Sequence, residues 1–464
     1  MSPRISPLAL TLGLVALPTG ALAAPCAAPP SGQSALYAAA AALAPGQACE
    51  LKPNLGKAAL ESAGGGIPVQ WTDSGAWDPI KRRIHFIGRD AGCGNASRPY
   101  VHLQYDDDSS TWSLESIPAI GPCGHAYDAN TADPVTGTFY FRAYGEGKAH
   151  AWNGSAWSAT ADVSGSSSSP AIGLAYFPEL KLGAATTAGG LVWAQANQLY
   201  VLPRGASSWT TVALPSPIGG YHNVAEYNPA LGFMVFGGGN DATDVLYRMD
   251  ADGKLTQLKS TPVALWTHGS EGTYLSVDPV AGHFLVYSFG QGTDGWWEFD
   301  AQTDVWANLS GPPQLSRYSF QVPIPDYGVV VMFDEVPPGG SEPTLWVYRH
   351  QSSVLPPPPD GGTGSGGAAS TDGGAGAAGS GGSAGSGAQS AGGQASGGSA
   401  NGGAAGSGAA AGASDGSDDG GCSCRTPRTP VREHDWLAVS VIAGLWLRRR
   451  SRARGASAGR LGRG

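Results

Sequence analysis

Five short stretches of the chain carry the residue types from which a site could be built. They are Thr72-Asp73-Ser74, Gly124-His125, Tyr221-His222-Asn223, His268-Gly269-Ser270-Glu271 and Arg317-Tyr318. Three imidazoles with an open position, His125, His222 and His268, suit zinc or copper. The carboxyls of Asp73 and Glu271 suit glycosidic-bond chemistry if they face each other at roughly 5 to 9 Å. A plainer reading serves the same residues equally well, as polar groups hydrogen-bonding one another and water at a wet mouth. Asp106-Asp107-Asp108, and Asp128 with Asn130 and Asp133, offer oxygen ligands for calcium. Neither has the spacing of a calcium loop, and solvated turns explain them better. No Gly-x-Ser-x-Gly elbow and no phosphate-binding loop occurs.

These stretches are far apart in sequence, so something periodic must bring them together. Six prolines each sit in a turn between two apolar runs: Pro79, Pro134, Pro178, Pro229, Pro279 and Pro325, at intervals of 55, 44, 51, 50 and 46 residues. A repeat near fifty residues marks a propeller blade. Each polar stretch precedes the first strand of its unit, and first strands line a propeller's channel. Asp73, His125, Tyr221, His222, His268, Glu271, Arg317 and Tyr318 are therefore expected at one channel mouth, the default place for a ligand.

The clearest unit runs from Tyr221 to Pro262. Asn223 to Tyr227 is its first strand, and Asn228-Pro229-Ala230-Leu231-Gly232 its turn, where proline fixes φ and glycine permits a positive φ. Phe233 to Phe236 is apolar throughout, as a strand buried on both faces should be. Val245 to Met249 and Leu255 to Leu258 complete it. Other second strands are Ile84 to Ile87, Phe139 to Phe141, Phe284 to Tyr287 and Val329 to Phe333; in the third unit Gly183-Ala184-Ala185 stands in this place. Fourth strands open on Trp112, Trp157, Trp209 and Trp306.

The stretch Phe299-Asp300-Ala301-Gln302-Thr303-Asp304-Val305-Trp306 resembles the end of a kelch repeat, and Gly237-Gly238 before Tyr247 resembles that family's double glycine. The resemblance covers residues 45–351 and implies tryptophans packed between blades. It also invites comparison with galactose oxidase, because Tyr221-His222 looks like that enzyme's adjacent copper ligands. The enzyme further needs a second tyrosine cross-linked to a cysteine, and no cysteine here is placed for that role, so the copper ligand set is incomplete.

The sixth unit lacks a fourth strand, because Tyr348 leads into a proline run. Gln47-Ala48-Cys49-Glu50-Leu51 has fourth-strand character and is expected to complete the last blade, closing the ring. The fold class is an all-β, six-bladed propeller, with seven blades open if residues 60–71 contribute more than a strand. Ser34 to Leu43, within the segment 24–44, reads as a short alanine-rich helix.

The ends read as addresses. Arg4, the apolar run Leu8 to Leu17 and Ala21-Leu22-Ala23 form a secretory signal over 1–23, cleaved after Ala23. Residues 352–421 form a Pro-rich then Gly/Ala/Ser tether that cannot bury enough apolar surface to order itself. Over 422–464, Cys422-Ser423-Cys424, the apolar run Trp436 to Leu447 and an arginine cluster resemble the myxobacterial C-terminal sorting signal MYXO-CTERM. That implies processing near Cys422 or Cys424 by a sorting protease and an exported protein, displayed on the outer membrane or secreted. The alternative is a retained membrane anchor, although the apolar run is shorter than the roughly 20 residues that span a bilayer.

Without both signals the chain keeps 16 basic and 34 acidic residues, a net charge of −18. That argues against nucleic acid and anionic lipid and favours neutral or cationic partners. Four cysteines remain, Cys26, Cys49, Cys93 and Cys123, with Cys26–Cys49 and Cys93–Cys123 the local pairing among three connectivities. No cofactor is implied firmly, calcium and copper or zinc being the options. The functional expectation is a binding module for an extracellular glycan or protein, with Trp266 and Trp296 as stacking faces. A carbohydrate-active oxidase, lyase or hydrolase at the same mouth is the alternative.

Overall fold

The six prolines mark the turn between the first and second strands of each repeat. In four of these turns the preceding residue is Asp or Asn, and its side chain caps the turn. Asp78 Oδ1 accepts the backbone N–H groups of Ile80 at 2.9 Å and Lys81 at 3.1 Å. Asp133 accepts from Val135 at 2.9 Å, Asn228 from Leu231 at 3.2 Å and Asp278 from Ala281 at 2.9 Å. Proline presets the next φ, and the Asx oxygen takes N–H groups that the turn leaves unpaired. All four side chains are buried, where an unsatisfied polar group would be costly.

These turns fold the chain into six four-stranded antiparallel sheets. The inner strands are Ala76–Asp78, Asn130–Asp133, Gly173–Phe177, Val224–Asn228, Gly272–Val277 and Ser319–Ile324. Parallel bridges join Thr72 to Tyr127 and Ser74 to Gln321, so these inner strands run the same way about one axis. One face of the ring carries the loops leading into the inner strands; the other carries the proline turns. The apolar cores lie between adjacent blades, as where Phe177 and Val192 of blade three meet Met234 and Phe236 of blade four.

The structure is a computed structural model and describes residues 24–90, 97–121, 124–163, 172–182, 187–266, 271–338 and 340–351. The secretory signal with Ala23, and also Cys93, Cys123, Gly183 to Ala185, His268, the tether and the C-terminal segment with Cys422 and Cys424, lie outside the described residues. No helix among the described residues is long and apolar enough to cross a membrane.

The fold is all-β with six blades. Residues 57–64 form a helix, Lys57–Gly64, so the 60–71 region supplies no seventh blade; Lys57, Ala58, Ala59, Leu60 and Glu61 are all good helix formers. Blade three corrects the repeat reading. Its second strand is Gly190–Gln195, paired with Gly173–Phe177, not Gly183-Ala184-Ala185. The connection after Pro178 is longer than in the other blades, so counting from the proline places the strand too early.

Ala48–Leu51 pairs antiparallel with Thr344–Tyr348, Cys49 opposite Val347, and so forms the outer strand of blade six. Residues 24–26 run alongside it, with Cys26 N–H donating to the Glu50 carbonyl at 2.8 Å and Glu50 N–H to that of Ala24 at 3.0 Å. A disulfide joins Cys26 to Cys49. The helix Ala35–Ala42 starts on Ser34, whose side chain accepts the Tyr37 N–H, and packs Leu36, Ala39 and Ala40 against blades one and six. Outer-strand tryptophans tie blades together: Trp157 Nε1 donates to Ser116 O at 2.9 Å and Trp209 Nε1 to Ala161 O at 2.8 Å.

Candidate functional site

On the loop face the residues that lead into three inner strands, Trp71, Tyr127 and His222, have φ of 65°, 52° and 65°. Bulky side chains rarely adopt this left-handed backbone, and such strain gathers where surrounding structure enforces it. Here the enforcement is aromatic packing across blades. Trp71 stacks on His125 at 4.6 Å between ring centroids, His125 meets Tyr127 edge-on at 5.6 Å, and Tyr127 packs on His222 at 4.6 Å. Tyr221 adds a contact with His222 at 4.5 Å.

The loop face thus brings His125, Tyr221 and His222 into one row of ring contacts; His268, the third imidazole, lies outside the described residues. The Tyr127 ring packs on both imidazoles. His125 Nδ1 contacts Arg89 O at 3.2 Å, and His222 Nδ1 contacts Asn240 Oδ1 at 2.7 Å. Among the described residues neither belongs to a group of three ligating side chains. Arg317 is exposed and lies over the ring of its neighbour Tyr318, with the phenol oxygen at 2.6 Å. Glu271 is half-buried, whereas Asp73 is buried on the axis. Trp296 is buried and donates its indole N–H to Pro313 O, so its face is not open to a sugar; Trp266 is half-buried.

The calcium-like stretches are accounted for by protein partners. Asp106, Asp107 and Asp108 pair with Arg83 and Arg82 at 2.6 to 3.1 Å. Asn130 exchanges hydrogen bonds with the Ile87 backbone, and Asp133 pairs with Arg204 at 3.0 Å.

Below the aromatic row, carboxyls converge on the axis. Asp128 is in hydrogen-bond contact with Ser74 and Asp73, and its Oδ2 accepts the Ala225 N–H. Gly173, in the strand between, makes room for blade four to approach: a Cβ there would lie 2.7 Å from the Val224 carbonyl carbon. Burial pushes the Asp128 carboxyl up to about 7, against the lowering pull of its Ser74, Ala225 and Asp73 contacts. Glu226 is held well above the usual carboxylate range, by burial first and then by the charge of Asp128. Close carboxyls in low dielectric hold protons because two adjacent negative charges cannot be solvated there.

Glu226 opens onto a cavity of about 340 Å³ at the opposite, proline-turn face. Five of the six repeat prolines line it: Pro79, Pro134, Pro178, Pro229 and Pro325. Its aromatic wall is Trp77, Tyr176 and Tyr227, each fixed by its polar end. Trp77 Nε1 donates to Asp326 at 2.7 Å, Tyr227 OH donates to Glu179 at 2.6 Å, and Tyr176 OH accepts from Arg204 Nε at 2.8 Å. Asp326, Glu179 and Glu226 face the same space, and no Lys, Arg or His lines it among the described residues. Burial raises Asp326 from its ordinary value, against the Trp77 hydrogen bond that lowers it.

Among the described residues, a ligand-sized space thus lies at the turn face, opposite the loop mouth to which the repeat pointed. The signal was in the chain all along. The prolines and the residues just before them are the rim, and Glu226, an acid at mid-strand among inward-facing apolar residues, is the clue that an inner strand lines a cavity.

No protein-family model matches this chain, and no curated protein is similar to it in sequence. Solved structures are similar at low identity. A calcium-binding protein, regucalcin, from Agrobacterium tumefaciens strain C58 shares 12% identity, over 61% of this chain and 94% of that one, with a TM-score of 0.37. SapL1 lectin in complex with alpha methyl fucoside shares 15%, over 61% and 94%, with a TM-score of 0.37. YCF48 bound to D1 peptide shares 13%, over 61% and 79%, with a TM-score of 0.34.

Proposed function

We propose that this protein is an exported, surface-displayed propeller that binds a neutral or cationic glycan in the proline-rimmed mouth of its turn face. The observation that carries the reading is the cavity wall: three aromatic rings anchored by hydrogen bonds, beside carboxyls and without a basic residue. Rigid aromatic faces offer apolar stacking to a sugar ring at little entropic cost, and the carboxyls offer hydrogen bonds to its hydroxyls. The volume falls at the small end of ligand pockets, roughly 300 to 1,000 Å³, which suits one or two sugar residues. The net acidity of the mature chain disfavours anionic ligands.

A protein segment is the second reading, favoured by the exposed apolar Ile80 and Val135 on the proline turns, 60% and 56% accessible. The enzyme alternative would use Glu226 as a protonated acid with Asp128 as its partner. Asp128, however, spends one oxygen on the Ala225 N–H and does not line the cavity, so binding is the better supported role. Export and display rest on the two terminal signals. Screening the purified protein against neutral, amino and acidic glycans tests the reading, with Tyr227→Ala as the turn-face variant and His222→Ala as the loop-face control.

A further inference from the structure

His283, Glu298 and His350 form a cluster on the turn face where blade five meets blade six. His283 follows the proline turn of blade five, Glu298 sits on its third strand, Gly295–Asp300, and His350 follows Thr344–Tyr348 of blade six. One ligating atom from each of His283, Glu298 and His350 lies within 4.8 Å of the other two. The carboxylate oxygen is the hub, in contact with His283 Nδ1 and 3.0 Å from His350 Nε2.

We propose that this cluster is a divalent transition-metal site, with zinc as the best fit, that clamps blade five to the blade closed by the N-terminal strand. Two imidazoles and one carboxylate are a zinc-type donor set, with a fourth position left for water. The surroundings suit it. His350 is buried, and its Nδ1 faces the Tyr348 hydroxyl at 3.3 Å. With the metal on Nε2, the ring carries its proton on Nδ1 and donates it to Tyr348, the kind of outer partner that orients a metal-bound histidine. His283 is 32% exposed and gives the ion a path in. Arg349, the neighbouring cation, directs its guanidinium to Ala40 O and Tyr327 O.

The competing explanation is a metal-free ion pair in which both imidazoles donate N–H to Glu298. Full-length protein stripped with chelator and dialysed against zinc chloride separates the two. A metal site retains one zinc per chain, raises the melting temperature in a manner reversed by chelator, and gives a tetrahedral visible spectrum with cobalt(II). His283→Ala leaves the Glu298–His350 pair intact; it should keep a native circular dichroism spectrum and lose retention of both metals. Tyr348→Phe, nearly isosteric, should weaken zinc binding by about 10- to 100-fold while leaving the cobalt spectrum tetrahedral. Zinc retained well below one per chain by the wild type, or retained equally by wild type and His283→Ala, overturns the proposal.

Discussion

Asp128 of blade two reaches past blade three, and its carboxylate accepts the backbone N–H of Ala225 in blade four at 2.5 Å. This contact, with Tyr127 packed on His222 just above it, ties non-adjacent blades together across the axis. It also gives the fold a titratable centre, because the same carboxyl is in contact with Asp73.

The first prediction concerns pH. Asp128 titrates near 7 in the folded protein and near 3.9 in an unfolded chain. The folded state therefore holds an extra proton between those values. The stability contributed by protonated Asp128 is complete below about pH 4, falls as pH rises to 7 and is then level. Glu226 acts in the same direction. Asp128→Asn keeps an acceptor for Ala225 but no titration. In urea unfolding at pH 4, 5.5 and 7, the variant should gain on the wild type as pH rises; a constant difference would contradict this.

The Asx–proline turns should contribute stability individually. Asp133→Ala removes the acceptors for Val135 and Thr136 and the partner of Arg204. A loss of about 1–3 kcal/mol is expected for buried polar groups left unpaired. Asp252→Ala, in an exposed turn where Asp252 accepts from Lys254, should stay within about 0.5 kcal/mol of wild type. Denaturant midpoints of the two variants check the contrast.

Ring closure can be tested from the N-terminal side. Replacing both Cys26 and Cys49 with alanine removes a cross-link spanning 23 residues, worth about 3 kcal/mol by chain entropy. Deleting residues 45–53 removes the outer strand itself and should abolish cooperative melting. An unchanged transition in the deletion would show that blade six closes without it.

Gly173 should tolerate no side chain. A Cβ there meets the Val224 carbonyl carbon at 2.7 Å, whereas one at Gly121 meets nothing within 4 Å. Gly173→Ala is expected to cost about 1–3 kcal/mol through overpacking and Gly121→Ala close to nothing, measured by thermal melting.

The propeller was legible in the sequence because its signals are local and repeated. The proline turns, the apolar second strands and the strand-opening tryptophans each follow from backbone and packing rules within one blade. Even the outer strand of blade six could be traced to Gln47 to Leu51, since a propeller with one strand missing advertises the gap. Blade three escaped because a long connection broke the count. The turn-face cavity was less legible, because the repeat says which residues begin an inner strand but not where along that strand space is left for a ligand. His125 and His222 do stand together at the loop mouth, yet Tyr127 packs on both, and a ring contact between blades two and four is invisible to a periodic alignment. The cluster of His283, Glu298 and His350 depends on two blades meeting in register and had no motif to announce it.

The central claim is that ligand binds at the turn face, and affinity measurements on four variants test it most directly. With a glycan identified by screening, Tyr227→Ala should weaken binding at least about tenfold, and Glu226→Lys, which puts a cation into the cavity, should weaken it as much. His222→Ala and Arg317→Ala on the loop face should leave it unchanged. Binding lost in the loop-face pair and retained in the turn-face pair would contradict the account.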